Sequence, residues 1–235
     1  MKRSLLILFF CGGILLVVGS PGGPIVLALV LLTATIGVVS MKSRVFGPVR
    51  TTVPSGIALT YDDGPNPVST PALLDLLKER NVKATFFVVG EKVLAHPEVV
   101  RRCHAEGHTI GNHSHRHGTW TNLHFGGWMR SELGDCQRAV ESAIGEAPRF
   151  YRPPFGLMNP HVEPAARAHG MQVVGWSVRS LDTARDDAAQ RVTKRLTDGA
   201  IVLLHDGDLD ADRVVATTRT ILDAAEQRGL TPVAL

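Results

Sequence analysis

The pattern of apolar and polar positions divides the chain near residue 50. From Ser4 to Ser40 there is no charged residue. As one helix that run would extend about 55 Å at 1.5 Å per residue, well beyond the ~30 Å hydrocarbon core of a bilayer. Ser20-Pro21-Gly22-Gly23-Pro24 breaks it into Ser4 to Gly19 and Ile25 to Ser40, because proline cannot continue a helix and glycine favours turns. The pattern predicts an N-terminal transmembrane helical hairpin within residues 1–45, anchoring the protein to membrane lipid. A cleaved signal peptide would account for Lys2-Arg3 and the first apolar half, but no small-x-small site precedes the break and the second half would be left unexplained. Basic residues flank both outer ends, so a hairpin would keep the remaining domain cytoplasmic. A single span would put it outside, and the sequence leaves the side of the membrane open.

Beyond Arg50, short apolar runs alternate with amphipathic stretches. Strands are predicted over 57–61, 84–89, 107–111, 149–152, 173–177, 201–204 and 232–235. Helices are predicted over 70–80, 99–105, 128–144, 161–169, 188–196 and 214–228. The first of these helices has Ser69 or Thr70 available as a cap and Pro71 in its first turn. Strands alternating with helices imply an α/β domain over residues 50–235 with a parallel sheet or barrel.

Charge narrows the choice of partners. Residues 1–50 hold Lys2, Arg3, Lys42, Arg44 and Arg50 and no acid, which leaves 20 basic against 22 acidic residues in the remainder. The net charge of +3 therefore belongs to the N-terminal segment, and a nucleic-acid-binding face is excluded. The three cysteines, Cys11, Cys103 and Cys136, form no CxxC pair, so the expectation is free thiols, with a Cys103 to Cys136 bridge as the alternative in an oxidising compartment.

Four stretches carry chemistry. Thr60-Tyr61-Asp62-Asp63-Gly64-Pro65 puts adjacent carboxylates where a strand runs into a turn, and such a pair calls for a cation to relieve its repulsion. His113-Ser114-His115-Arg116-His117 offers imidazoles at i and i+4, which meet on one side of a helical turn, while alternation would turn His115 away. With Asp63, His113 and His117 make a two-nitrogen, one-oxygen ligand set that leaves a position for water, as catalytic zinc sites do. Nickel or cobalt would suit the same ligands. Arg152-Pro153-Pro154-Phe155-Gly156 pairs an arginine with a rigid turn whose first free N–H is that of Phe155, and Leu203-Leu204-His205-Asp206 ends a strand on a histidine. Taken singly, each stretch has a plain reading as a solvated turn, a surface histidine cluster or a rim residue.

Taken together and in this order, the four resemble the motifs of the polysaccharide deacetylase family, the carbohydrate esterases of family 4 built on the NodB homology domain, over residues 54–235. The resemblance implies a distorted (β/α)7 barrel. It also implies Asp62 as catalytic base, Asp63, His113 and His117 as metal ligands, and Ser114 as support for the histidine loop. Arg152 would orient Asp62, the Phe155 N–H would face the oxyanion, Leu203 would line the acetyl pocket and His205 would be the general acid. Trp176 to Thr183 resembles a weaker motif in which Asp182 orients His205. Two positions depart from it: Arg179 stands where an acid is common and Thr183 where tryptophan is usual. The implied activity is metal-dependent removal of N-acetyl groups from an amino-sugar polymer or oligosaccharide, with a divalent metal, zinc first, as cofactor. The alternatives are deacylation or deformylation of a lipid-linked amino sugar at the membrane, and a carbohydrate-binding pseudoenzyme.

Overall fold

The computed structural model describes residues 6–10, 14–18, 23–118 and 126–235. The predicted helical hairpin is not found. Leu6–Phe10 (β1) pairs antiparallel with Ile14–Val18 (β2), and a helix follows over Gly23–Val39 (α1). The sequence between the two strands contains Gly12-Gly13, each glycine costing a helix about 1 kcal/mol, and β2 carries the β-branched Ile14, Val17 and Val18. At 17 residues α1 reaches only about 26 Å. No helix among the described residues is long and apolar enough to cross a membrane.

The domain that follows alternates as predicted. Its elements are Ile57–Gly64 (β3), Ser69–Glu79 (α2), Thr85–Val88 (β4), Gly90–Ala95 (α3), Pro97–Ala105 (α4), Thr109–Asn112 (β5), Gly126–Ile144 (α5) and Phe150–Tyr151 (β6). They continue with Val162–Ala168 (α6), Gln172–Val173 (β7), Val178–Arg179 (β8), Ala188–Arg195 (α7), Ala200–His205 (β9), Ala211–Gln227 (α8) and Pro232–Val233 (β10). The strand order is β7-β6-β5-β4-β3-β9-β8, with β10 added to β3, and every pairing in this sheet is parallel. The sheet curls, because one short segment reaches both of its sides. Arg50 bridges to Val174 beyond β7, and Thr52 bridges to Ala200 of β9.

Strand alternation sorts the side chains. Ile57, Leu59 and Tyr61 face the helices in the larger apolar cluster, along with Phe86, Val202 and Leu204. Ala58, Phe87 and Ile201 lie in a separate cluster with Val53 and Val174 on the concave side. The period of two therefore carries Thr60 and Asp62, next in line after Ala58, to the concave side at the carboxyl end of β3. Burying each large aliphatic side chain on the helix side contributes about 2 kcal/mol, so the polar row opposite is held by a rigid support.

Two local expectations are corrected. Ser69 and Thr70 do not cap α2: Ser69 Oγ donates to the Asp206 carbonyl and Thr70 Oγ1 to Asp206 Oδ2, both at 2.5 Å. Asn66 Oδ1 instead accepts from the N–H groups of Val68 and Ser69 at 2.8 and 3.0 Å. The strand expected over 173–177 stops at Val173, because the chain there leaves one edge of the sheet and Ser177 N–H joins the Ile201 carbonyl near the other, at 3.0 Å. Cys103 and Cys136 are buried free thiols, so the bridge between them is absent; Cys11 lies outside the described residues.

Candidate active site

The site lies at the carboxyl ends of the parallel strands, where loops on a rigid sheet collect functional groups. β3 supplies Asp62 and Asp63. The loops after β5 and β6 supply His113, His117, Arg152 and Phe155, and β9 ends on His205, which is in register with Asp62. Asp62, Asp63, His113, His117, Phe155, Gly156, Trp176, Arg179, Thr183, Leu203 and His205 line one cavity of about 250 Å³.

Asp63, His113 and His117 bring one ligand atom each to within 4.8 Å of one another. Asp63 Oδ1 is 3.1 Å from His117 Nε2 and 3.4 Å from His113 Nε2. It is also buried without a hydrogen-bond partner, a poor arrangement for a carboxylate unless a cation completes it. His113 Nδ1 lies 2.7 Å from the Arg152 carbonyl, a contact that turns Nε2 toward Asp63 and leaves it available as a ligand. Burial opposes ionisation of Asp63, but the facing imidazoles of His113 and His117 outweigh it and hold the carboxyl well below the usual range. Burial together with the neighbouring His113 lowers the pKa of His117. Burial opposes charge on His113 as well, but the carboxylates of Asp62 and Asp63 outweigh it and raise that imidazole, so a divalent metal binding here would displace its proton. The two-nitrogen, one-oxygen donor set and the unpartnered Asp63 Oδ1 fit such an ion.

The two imidazoles do not meet on a helical turn. Residues 113–118 are a loop, and Ser114 and His117 take left-handed backbone angles, φ 70° and 51°. Asn112 Oδ1 accepts from Ser114 N–H at 2.9 Å, and Ser114 Oγ accepts from His117 N–H at 3.1 Å, which folds the loop back on itself. Asp63 and Phe155 also lie at positive φ, 72° and 60°. Strained backbone concentrated at one cavity is a mark of a functional site. His115 stays outside the ligand set, packed against Gly90.

Asp62 is paired with a fully buried arginine. Arg152 Nη1 donates to Asp62 Oδ1 at 2.7 Å and to Thr60 Oγ1 at 2.8 Å, while Nη2 donates to the Gly175 carbonyl at 2.9 Å. The guanidinium carbon sits 4.2 Å from the centre of the Phe87 ring. Across the cavity, Asp182 grips His205 twice, accepting from its backbone N–H at 2.8 Å and lying 2.7 Å from Nδ1. Burial pushes His205 down, but the Asp182 hydrogen bond and the carboxylates of Asp182, Asp62 and Asp63 outweigh it and raise the pKa to about 9. This pairing favours the protonated form of the imidazole at neutral pH. Leu203 is buried on the cavity wall, and Phe155 forms its rim with its ring 4.9 Å from that of His117.

Residues 50–174 match the polysaccharide deacetylase family. The chain belongs to the polysaccharide deacetylase family. It is similar to a chitooligosaccharide deacetylase of Bradyrhizobium sp. (strain ANU 289), 40% identical over 168 residues that cover 70% of this chain and 75% of that protein. It is also similar to a peptidoglycan-N-acetylglucosamine deacetylase of Listeria monocytogenes, 41% identical over 153 residues, 64% of this chain but only 32% of that longer protein. A family 4 carbohydrate esterase from Streptomyces lividans, solved in complex with acetate, superposes with a TM-score of 0.69 at 32% identity, covering 76% of this chain and 92% of that one.

Of the residues expected from the sequence, Asp62, Asp63, His113, His117, Phe155, Leu203 and His205 line the cavity, while Arg152 and Asp182 hold Asp62 and His205 from behind it and Ser114 closes the histidine loop. Further supporting residues were missed. Thr60 under Arg152 follows from strand alternation, two positions before Asp62. Ser180, whose hydroxyl donates to Asp182 Oδ1 at 2.8 Å, and Arg213, whose Nη2 donates to the Asp182 carbonyl at 2.7 Å, carry no such signal. Asp206 is wholly buried with Oδ1 unpartnered, and burial raises its pKa to about 7.

Proposed function

We propose that this deacetylase hydrolyses the N-acetyl group of an amino-sugar polymer or oligosaccharide in a metal-dependent reaction. The observation that carries the reading is the opposition, across one cavity, of an arginine-paired carboxylate at Asp62 and an aspartate-held imidazole at His205 above the Asp63, His113 and His117 trio. That trio would hold a divalent metal, zinc by preference for its nitrogen-rich donors, which when bound lowers the pKa of water and polarises the amide oxygen. Asp62, kept in place by Arg152, takes the proton of the attacking water. The Phe155 N–H donates to the developing oxyanion; the neighbouring amides of Gly156 and Leu157 are already engaged by the Pro153 and Pro154 carbonyls. His205 then gives its proton to the departing nitrogen, since an amide anion is too poor a leaving group, and Leu203 packs on the acetyl methyl. Asp62→Asn should abolish acetate release from N-acetylated chitin oligomers and glycan strands while leaving metal bound stoichiometrically. Near-normal rates in that variant, or full activity of wild type after thorough chelation, would refute the reading.

A second reading concerns location. Ile25, Val26, Leu27, Leu29, Leu31, Leu32, Ile36 and Val39 of α1 are exposed large apolar residues, and the Val38 carbonyl accepts from Met158 N–H at 3.0 Å, close to the Phe155 turn. An apolar helix seated beside the site supports attachment to a lipid surface and, with it, a lipid-linked amino sugar as substrate. Equal retention on lipid vesicles of the full chain and a chain lacking residues 1–40 would rule this out.

A further inference from the structure

We propose that Arg179 makes the enzyme selective for amino sugars that carry an anionic group, a carboxylate or a phosphate, beside the acetamido ring. The inference rests on the deacetylase reading and concerns which substrates the same cavity prefers. Arg179 belongs to β8 and pairs in register with Leu203 of β9, which fixes its backbone at the cavity wall. Its guanidinium carbon lies 5.8 Å from the centre of the Trp176 ring. Trp176 is itself packed closely enough on Gly156 that a Cβ there would come within 2.2 Å of the indole. The arginine is exposed to the cavity with its cation over a fixed aromatic ring, and a planar guanidinium fork is the group that takes an oxyanion through two parallel hydrogen bonds.

The charge balance of the cavity points the same way. Asp62 is taken by Arg152, Asp63 faces the imidazoles, and behind the wall Asp182 is taken by His205 and Ser180. Among the described residues, which include every aspartate and glutamate of the sequence, Arg179 is the one lysine or arginine lining the cavity and has no carboxylate partner. Unpaired arginines on the outer surface carry no such meaning. This one lies on the cavity wall with Thr183, small and exposed, leaving the mouth open beside it.

The test compares kcat/KM of the full-length, metal-supplied protein on three substrates: a neutral N-acetylglucosamine oligomer, an N-acetylglucosamine disaccharide whose partner sugar bears a lactyl ether carboxylate, and N-acetylglucosamine 1-phosphate. Wild type should prefer one of the two anionic substrates, and which one identifies the anion. Arg179→Gln should lower the anionic-to-neutral ratio about tenfold, mainly through KM, as expected for losing a charged hydrogen bond. Arg179→Lys should restore part of the ratio. A ratio unchanged in Arg179→Gln, or a wild type that prefers the neutral oligomer, overturns the inference while leaving deacetylation intact. Calorimetric binding of the same sugars to Asp62→Asn, with and without Arg179→Gln, separates the two claims. Arg179-dependent anion preference in binding without turnover of any sugar by wild type would overturn the deacetylase reading and support this one.

Discussion

Arg152 offers the sharpest test of how the site is held together. Its side chain is wholly buried and Asp62 is 5% exposed, with 2.7 Å between Nη1 and Oδ1. Replacing Arg152 by methionine keeps the volume against Phe87 but removes the cation. It leaves the Asp62 carboxylate buried without its countercharge, and deprives the Gly175 carbonyl of its 2.9 Å donor. Breaking a buried pair from one side costs about 3–5 kcal/mol, because the remaining charge stays desolvated. For a chain of 235 residues this corresponds to a fall in Tm of roughly 6–20 °C, at about 2–4 °C per kcal/mol. Asp62→Asn should cost less, about 1–2 kcal/mol, because an amide oxygen still accepts from the guanidinium. The double variant should be more stable than the sum of the two losses by about 2–3 kcal/mol, since in the Arg152→Met background Asp62→Asn removes the uncompensated buried charge. Urea denaturation at neutral pH with a chelator present, so that metal linkage does not enter, measures all four corners of the cycle. A loss under about 1 kcal/mol in Arg152→Met, or strict additivity in the double variant, would refute the view that this pair supports the catalytic face.

Three further outcomes are expected. Asp182→Asn removes the acceptor that raises His205 to about 9; because the protonated imidazole is the working form, the alkaline limb of the kcat/KM profile should move from near that value toward the ordinary histidine range, and an unmoved limb would exclude His205 as its source. Gly156→Ala, at φ 69° and with a Cβ 2.2 Å from Trp176, should lose about 1–3 kcal/mol by denaturation and lower activity as the indole is displaced, with Trp176→Ala recovering part of the stability. Cys103 and Cys136 are 1% and 0% exposed, and burial raises both thiols, Cys136 to about 12; in a Cys11→Ser background neither should react with a thiol reagent until the protein unfolds, and fast labelling of the native state would contradict their burial.

What could be read from residues alone was whatever depends on short range. Short continuous apolar runs located β3, β4 and β9, which the fold covers on both faces, and the helical period located α2, α5 and α8, which bury one face against a neighbour. The motif residues were legible because metal binding and proton transfer demand particular side chains. The N-terminal apolar run was misread because hydropathy does not distinguish a spanning helix from paired strands. There, the local conformational cost of two glycines and the pairing of β1 with β2 made the difference. The loop conformation that converges His113 and His117, the Ser180 and Arg213 contacts on Asp182, the diversion of Ser69 and Thr70 to Asp206, and the shelf beneath Arg179 were decided only by the folded chain. Each joins groups that are distant in sequence or depends on backbone angles imposed by packing. Residue type determined which chemistry was available; tertiary contacts determined which of those groups face one another across the cavity.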